Sequence, residues 1–213
     1  MAMSLFKLLA ALRAMLYCLP ALALGDPTNW GCLHCPSNSA DGLPTPTYGS
    51  DQIVFTVCAE LNISAPLIDV YNAILDFQAY PSWNTFAFAV DLPSNVTTTP
   101  TDNYVGMPMT FHTAGVLPPF NTTSNEVLTV LDYANAAGYS LSAWRYDDGL
   151  GGAGMRAEHP NVLVDVGGGV TRYLSFETYY LGTETAVVLP LKGNLQTAFE
   201  KQRANLKAYV EGI

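Results

Sequence analysis

The side chains able to do chemistry are few in this sequence, and their spacing limits what they can do. Cys32-Leu33-His34-Cys35 has the spacing of a redox or zinc motif. A redox pair needs its first cysteine at a helix N-terminus after a strand, whereas 26–50 is a Pro/Gly/Ser/Asn segment without helical period. Zinc needs a second ligand pair, and only Cys58 lies downstream. The expectation is therefore structural: one disulfide among Cys32, Cys35 and Cys58, with the pairing open and one thiol to spare. A bridge from Cys58 to Cys32 or Cys35 would pin the N-terminal arm to the domain. His34, His112 and His159 are far apart, with no H-x-x-x-H pair, so no metal site is expected. Gly149 to Gly154 matches G-x-G-x-x-G, but Pro160 breaks the segment after it. A dinucleotide site needs a helix N-terminus there to hold pyrophosphate. The segment 148–154 reads instead as a flexible loop suited to covering a cavity, and no cofactor is expected. Gly138-Tyr139-Ser140-Leu141-Ser142 lacks the final glycine of a nucleophile elbow, so a hydrolase triad finds no support.

Arg145 is the charge of most interest. No lysine occurs between Lys7 and Lys192, and after Arg13 only Arg145, Arg156 and Arg172 precede Lys192. On the segment 139–146, Arg145 shares parity with Leu141 and Ala143. If Leu141 faces a cavity, Arg145 does too, and a guanidinium there would bind a carboxylate, enolate or phenolate of an otherwise apolar ligand. The alternative packs Trp144 inward and leaves Arg145 in solvent; alternation leaves both open. Arg172 shares parity with Val170, Leu174 and Phe176, which would place it at a cavity mouth, and His112 falls on the polar side of its strand.

These residues need elements to position them. Ile53 to Leu61 alternates as a strand, with Cys58 on its mixed face. Ser64 is a helix N-cap candidate, Pro66 lies in the first turn, and Leu67, Val70, Tyr71, Ile74 and Leu75 come after it at helical spacing. Strand-period segments occupy 86–92, 105–112, 126–133, 139–146, 155–166 and 170–181, joined by turns such as Gly167-Gly168-Gly169, and read as an antiparallel meander. Pro108 suggests an edge strand or a bulge in the second of them. A long amphipathic helix closes the chain over about 191–211, with Lys192, Lys201, Arg203 and Lys207 on its solvated side. The class is α+β: a curved antiparallel sheet wrapped round the C-terminal helix, with a cavity between them.

Composition bounds the partners. The 213 residues carry 9 Lys+Arg against 18 Asp+Glu, a formal charge of −9, which argues against nucleic acid. Residues 1–25 read as a signal peptide, with a basic start at Lys7 and Arg13 and an apolar run from Ala14 to Leu24 too short to span a bilayer. Removing it takes Lys7 and Arg13 from the 9 basic residues and none of the 18 acidic ones, so the mature chain is formally −11. Asn62-Ile63-Ser64, Asn95-Val96-Thr97 and Asn121-Thr122-Thr123 are glycosylation sequons. The expected product is secreted or held in the secretory lumen, without stable membrane insertion. Its organisation is a leader over 1–25, a Cys-bearing arm over 26–50 and one domain over 51–213.

Three local patterns carry a resemblance. Asp76-Phe77-Gln78-Ala79-Tyr80-Pro81-Ser82-Trp83-Asn84-Thr85-Phe86 is similar to the D-F-x-x-Y-P-x-W-N-P-F turn of the START-like helix-grip superfamily, in its polyketide cyclase and coenzyme Q-binding branches, with Thr85 in place of the usual proline. Gly167 to Arg172 leading into Glu177-Thr178-Tyr179-Tyr180-Leu181-Gly182 resembles that family's last hairpin. Phe199 to Glu211 resembles its closing helix. The resemblance covers Ile53 to Ile213 and implies a helix-grip fold around a ligand cavity. The apolar wall is expected from Phe77, Trp83, Met107, Met109, Phe111, Phe176, Leu195 and Phe199, with Arg145 as the polar contact. The expected function is binding of a small hydrophobic molecule: a lipid, a sterol or a polyketide-like compound. The alternative is a cyclase, dehydratase or pericyclase using the same cavity, since such chemistry can run on shape and a few hydrogen-bond donors.

Overall fold

The computed structural model describes residues 28–38, 40–147, 150 and 153–212. The expected leader and most of the glycine-rich loop lie outside the described residues. The regular elements are β1 (Ile53–Ile63), α1 (Leu67–Leu75), α2 (Tyr80–Trp83), β2 (Ala87–Asp91), β3 (Pro108–Leu117), β4 (Phe120–Asp132), β5 (Ser140–Tyr146), β6 (Arg156–Gly167), β7 (Val170–Tyr180), α3 (Thr185–Val188) and α4 (Lys192–Glu211). They form a seven-stranded sheet in the order β1-β7-β6-β5-β4-β3-β2, every pair antiparallel. The sheet grips α4 as the alternation and the closing amphipathic helix predict. No helix among the described residues is long and apolar enough to cross a membrane.

Two details differ from the expectation. The edge strand is β2, and β3 lies inside it; Pro108 opens β3 beyond β2, whose pairing reaches only Asp91–Thr110, so its missing N–H is tolerated. The helix after β1 starts at Leu67 behind an N-cap Pro66, and Ser64 instead donates its N–H to Glu211 Oε1 at 2.6 Å.

The turn after α1 is fixed by its own side chains. Tyr80, fully buried, donates its hydroxyl to Ile74 O at 2.7 Å, and Asn84 Oδ1 accepts the N–H groups of Phe86 and Ala87, each at 3.0 Å. Phe77 packs edge-on against Phe111 and Trp144, with ring centres 5.9 and 5.8 Å away. Together with Met107, Met109, Trp83 and Leu206 these rings form a filled core under the C-terminal half of α4.

β1 is the other edge of the sheet, and α4 closes it. Gln196 bonds both backbone groups of Cys58, accepting its N–H at 3.0 Å and donating to its carbonyl at 2.8 Å. Arg203 donates to Glu60 O at 2.6 Å and Lys207 to Asn62 O at 3.0 Å. These cations were expected on a solvated face; Arg203 and Lys207 instead satisfy edge carbonyls that would otherwise offer a template for another strand.

The outer face of the sheet is covered by the arm. Leu141, Val162, Leu174 and Phe176 point outward and pack with Leu43, Trp30 and Leu33. Cys35 and Cys58 form a disulfide across 23 residues. No free cysteine occurs among the described residues. Arg172 donates to Gly31 O at 2.6 Å, Leu33 O at 2.7 Å and Glu60 Oε1 at 2.9 Å. Burial pushes the Glu60 carboxyl up, but hydrogen bonds from Arg172, the Cys35 N–H and His34 outweigh it and hold the group below its ordinary range. Further along, the Leu43 N–H reaches Thr56 Oγ1 at 3.0 Å, and Thr47 gives both its N–H and its hydroxyl to Glu158, at 2.8 and 2.7 Å.

Opening the 23-residue disulfide loop should cost about 3 kcal/mol through the gain in unfolded-chain freedom. The double variant Cys35→Ser/Cys58→Ser is expected to unfold at a correspondingly lower urea midpoint; an unchanged midpoint would show that the crosslink adds nothing to the arm's noncovalent ties.

Candidate functional site

A cavity of about 120 Å³ lies between the concave face of the sheet and α4. Alternation aims its walls: Ser124 and Glu126 from β4, Trp144 and Tyr146 from β5, His159 from β6 and Glu177 from β7, with Leu195 and Gln202 coming down from the helix. Phe111 and Trp144, stacked with ring centres 5.6 Å apart, stand between the cavity and the filled core.

The charge-bearing groups here are acids. Glu126 is only 7% exposed. Burial first, then the neighbouring Glu177, push its carboxyl well above the ordinary range, against a hydrogen bond from Ser124 and the more distant Arg145. Glu177 accepts the Tyr179 hydroxyl at 2.8 Å, and burial pushes it up to about 7 despite that bond. Burial and the adjacent Glu177 raise Tyr179 well above the usual phenol. His159 sits between the rings of Trp144 and Phe199, each centre 4.7 Å away. Burial pushes it down to about 3, so it is a neutral imidazole, bonded through Nε2 to Ser175 Oγ at 2.8 Å. Gln202 is 4% exposed, and its Oε1 has no hydrogen-bond partner. Ser142 Oγ and Asn161 Nδ2, on the same concave side, are likewise buried and unpartnered. A pocket of this kind holds protonated carboxyls near neutrality and can supply or take up a proton at Glu177. No group of three or more His, Cys, Asp or Glu suited to a metal ion occurs among the described residues.

Solved structures share this architecture. A hypothetical protein of Helicobacter pylori superposes with a TM-score of 0.58 at 13% identity, over 90% of this chain and 98% of its own. An aromatase/cyclase of Streptomyces sp. R1128 does so at 0.56 and 11%, over 73% and 93%. A START superfamily protein of Mycobacterium smegmatis does so at 0.52 and 14%, over 74% and 97%. The fold is the START-like helix grip. No family model and no curated protein sequence matches the chain.

Within this helix grip the residues expected to line the cavity divide. Phe111 and Leu195 border it, and Phe199 lies just behind, against His159 and Phe86. Phe77, Trp83, Met107 and Met109 belong to the filled core. Phe176 faces outward beneath the arm, and so does Arg145, on the Leu141 side of β5, where it hydrogen-bonds Tyr48. Arg172 is on that outer face too, and Arg156 binds Gln52 Oε1 at 2.6 Å. The arginines therefore hold the arm and the loop beyond it, and the cavity is acidic where a cation was expected. Glu126, Glu177, Tyr179 and Gln202 are the residues that sequence reasoning missed. The signal of the three strand residues was parity with the Trp144 side of the sheet, and that of Gln202 its place on the helical face of Leu195 and Phe199.

Folding raises Glu177 from 4.5 to about 7, so the folded state holds its proton more tightly than the unfolded chain. That contribution is complete below pH 4.5 and is lost as pH rises to about 7. The thermal midpoint should accordingly fall between pH 5 and 8, and Glu177→Gln should lessen the fall and be the more stable protein at pH 8, the rest of it belonging to Glu126. A parallel pH dependence in both proteins would contradict this assignment.

Proposed function

We propose that the protein binds a small, mainly apolar molecule in the cavity under α4. The observation that carries this reading is the cavity itself: an aromatic wall of Phe86, Phe111, Trp144 and Tyr146 facing a few convergent polar groups, the usual make-up of a small-molecule site. Its volume of about 120 Å³ favours a compact, ring-sized guest over an extended lipid or sterol. The helix-grip neighbours support a ligand-binding fold of this kind.

A second reading, an enzyme that cyclises or dehydrates such a guest, is favoured by one observation. Tyr179 donates to Glu177, whose carboxyl titrates near neutrality, the condition for a general acid that can also act as base. Under either reading we place the protein in the secretory route. The Cys35–Cys58 disulfide, the apolar leader sequence and the exposed positions of Asn62, Asn95 and Asn121 support this.

Ala87 lines the cavity and is buried. Ala87→Leu should fill it and abolish the change in tryptophan fluorescence produced by small aromatic probes, while leaving the circular dichroism spectrum intact; undiminished binding would place the guest elsewhere. Expression in a eukaryotic secretory host should give a protein that loses mass on enzymatic deglycosylation, and the triple variant Asn62→Gln/Asn95→Gln/Asn121→Gln should show no such loss.

A further inference from the structure

The cavity has a sign. Among the described residues that line it, those of formal charge are Glu126 and Glu177, and His159 is a neutral imidazole. Arg145, Arg156 and Arg172 are committed elsewhere: to Tyr48, to Gln52 and Leu181 O, and to the arm. A second, independent feature points the same way. Gln202, 4% exposed, turns into this space and has an Oε1 without a partner. A buried unpaired acceptor is costly, and it asks its occupant for an N–H or O–H donor. The aromatic wall of Phe111, Trp144 and Tyr146 offers ring faces that attract a cation.

From these groups we infer that the guest carries a protonated amine on a compact apolar body, its ammonium shared by Glu126, Glu177 and Gln202 Oε1. This rests on the reading of the cavity as a binding site and names the class of molecule it takes. An ammonium meets all three acceptors with its own donors, and it supplies the charge that lets buried carboxyls ionise. A neutral carbonyl guest would instead accept from the protonated acids and leave Gln202 Oε1 as it is; a hydroxyl guest could donate to Oε1 but would bring no charge to the carboxyls.

The two cases differ in their dependence on pH. The groups facing the carboxyl pair are Ser124 on β4, Tyr146 on β5 flanked by Arg145 and Asp147, His159 on β6, Tyr179 on β7, and Gln202 on α4. Lys192, also on α4, lies over the Phe55 ring, which stacks on Tyr179. With Glu177 protonated below about 7 in the empty protein, an ammonium must displace a proton in order to bind. Its affinity then rises about tenfold per pH unit below that point and levels above it. A neutral acceptor of the carboxyl proton keeps its affinity below that point and loses it above.

The experiment uses the folded chain with its disulfides formed and three probes of similar size: 2-phenylethylamine, 2-phenylethanol and 3-phenylpropanoate. Dissociation constants are measured calorimetrically at pH 6, 7 and 8. We expect the amine to bind about fivefold more tightly at pH 7 than at pH 6, to exceed the alcohol by at least about tenfold at pH 8, and the acid to bind least. Glu126→Gln and Glu177→Gln should erase the preference for amine over alcohol. Should either variant fail to fold at pH 5, the pH profile of the unmodified protein decides alone. If the alcohol binds as well as the amine, or binds more weakly as pH rises while the amine shows no gain, the amine assignment falls and the binding cavity stands. If none of the probes binds and Ala87→Leu behaves like the parent protein, both fall.

Discussion

The bonds from α4 side chains to the backbone of β1 hold the two halves of the molecule together. An edge strand presents unpaired backbone groups at every second residue, about 6.6 Å apart. A helix presents like-facing side chains every four residues, about 6 Å apart. The two repeats nearly coincide. Arg203, Lys207 and Glu211 therefore meet Glu60, Asn62 and Ser64 in step, and Gln196 adds a paired contact at Cys58. Buried apolar contact would hold the helix against the sheet in many registers; these directional bonds select one. The cavity lies under Leu195 and Gln202, between the core packed around Leu206 and the second apolar cluster of Phe55, Ala198 and Phe199.

Much of this was legible in the sequence, and the exceptions share a cause. The strands, the tyrosine–proline turn and the closing helix are written in periodicity, glycines and one local motif, all short-range signals. Which face of the sheet is inside is a long-range matter. An alternating strand names two sets of residues, and apolarity picks the inner one only when the outer face meets water. Here both faces are covered, because Trp30, Leu33 and Leu43 lie over Leu141, Val162 and Phe176. Leu141 thus looked like a cavity residue and took Arg145 with it, when Trp144 and Tyr146 are the ones that turn inward.

Glu126 and Glu177 were illegible for a related reason. A single glutamate on an antiparallel strand reads as a solvent-facing residue, which it usually is. Its meaning changes only when the strand curls and the helix shuts over it. Desolvation then converts an ordinary acid into a proton donor near neutrality, and Glu177, from a strand distant in sequence, further raises the proton affinity of Glu126. The pKa of such a group belongs to the closed fold and has no counterpart in the chain.

The arm crossing the outer face acts mechanically as well as chemically. From Trp30 to Tyr48 it is tied by a covalent bond, a guanidinium and several hydroxyls to β1, β7, β6 and β5 in turn. A belt fastened across the convex side of a curled sheet limits how far that sheet can flatten, and flattening is the motion by which the interior would widen. The width of the interior thereby depends in part on residues of the far side of the sheet that do not line it.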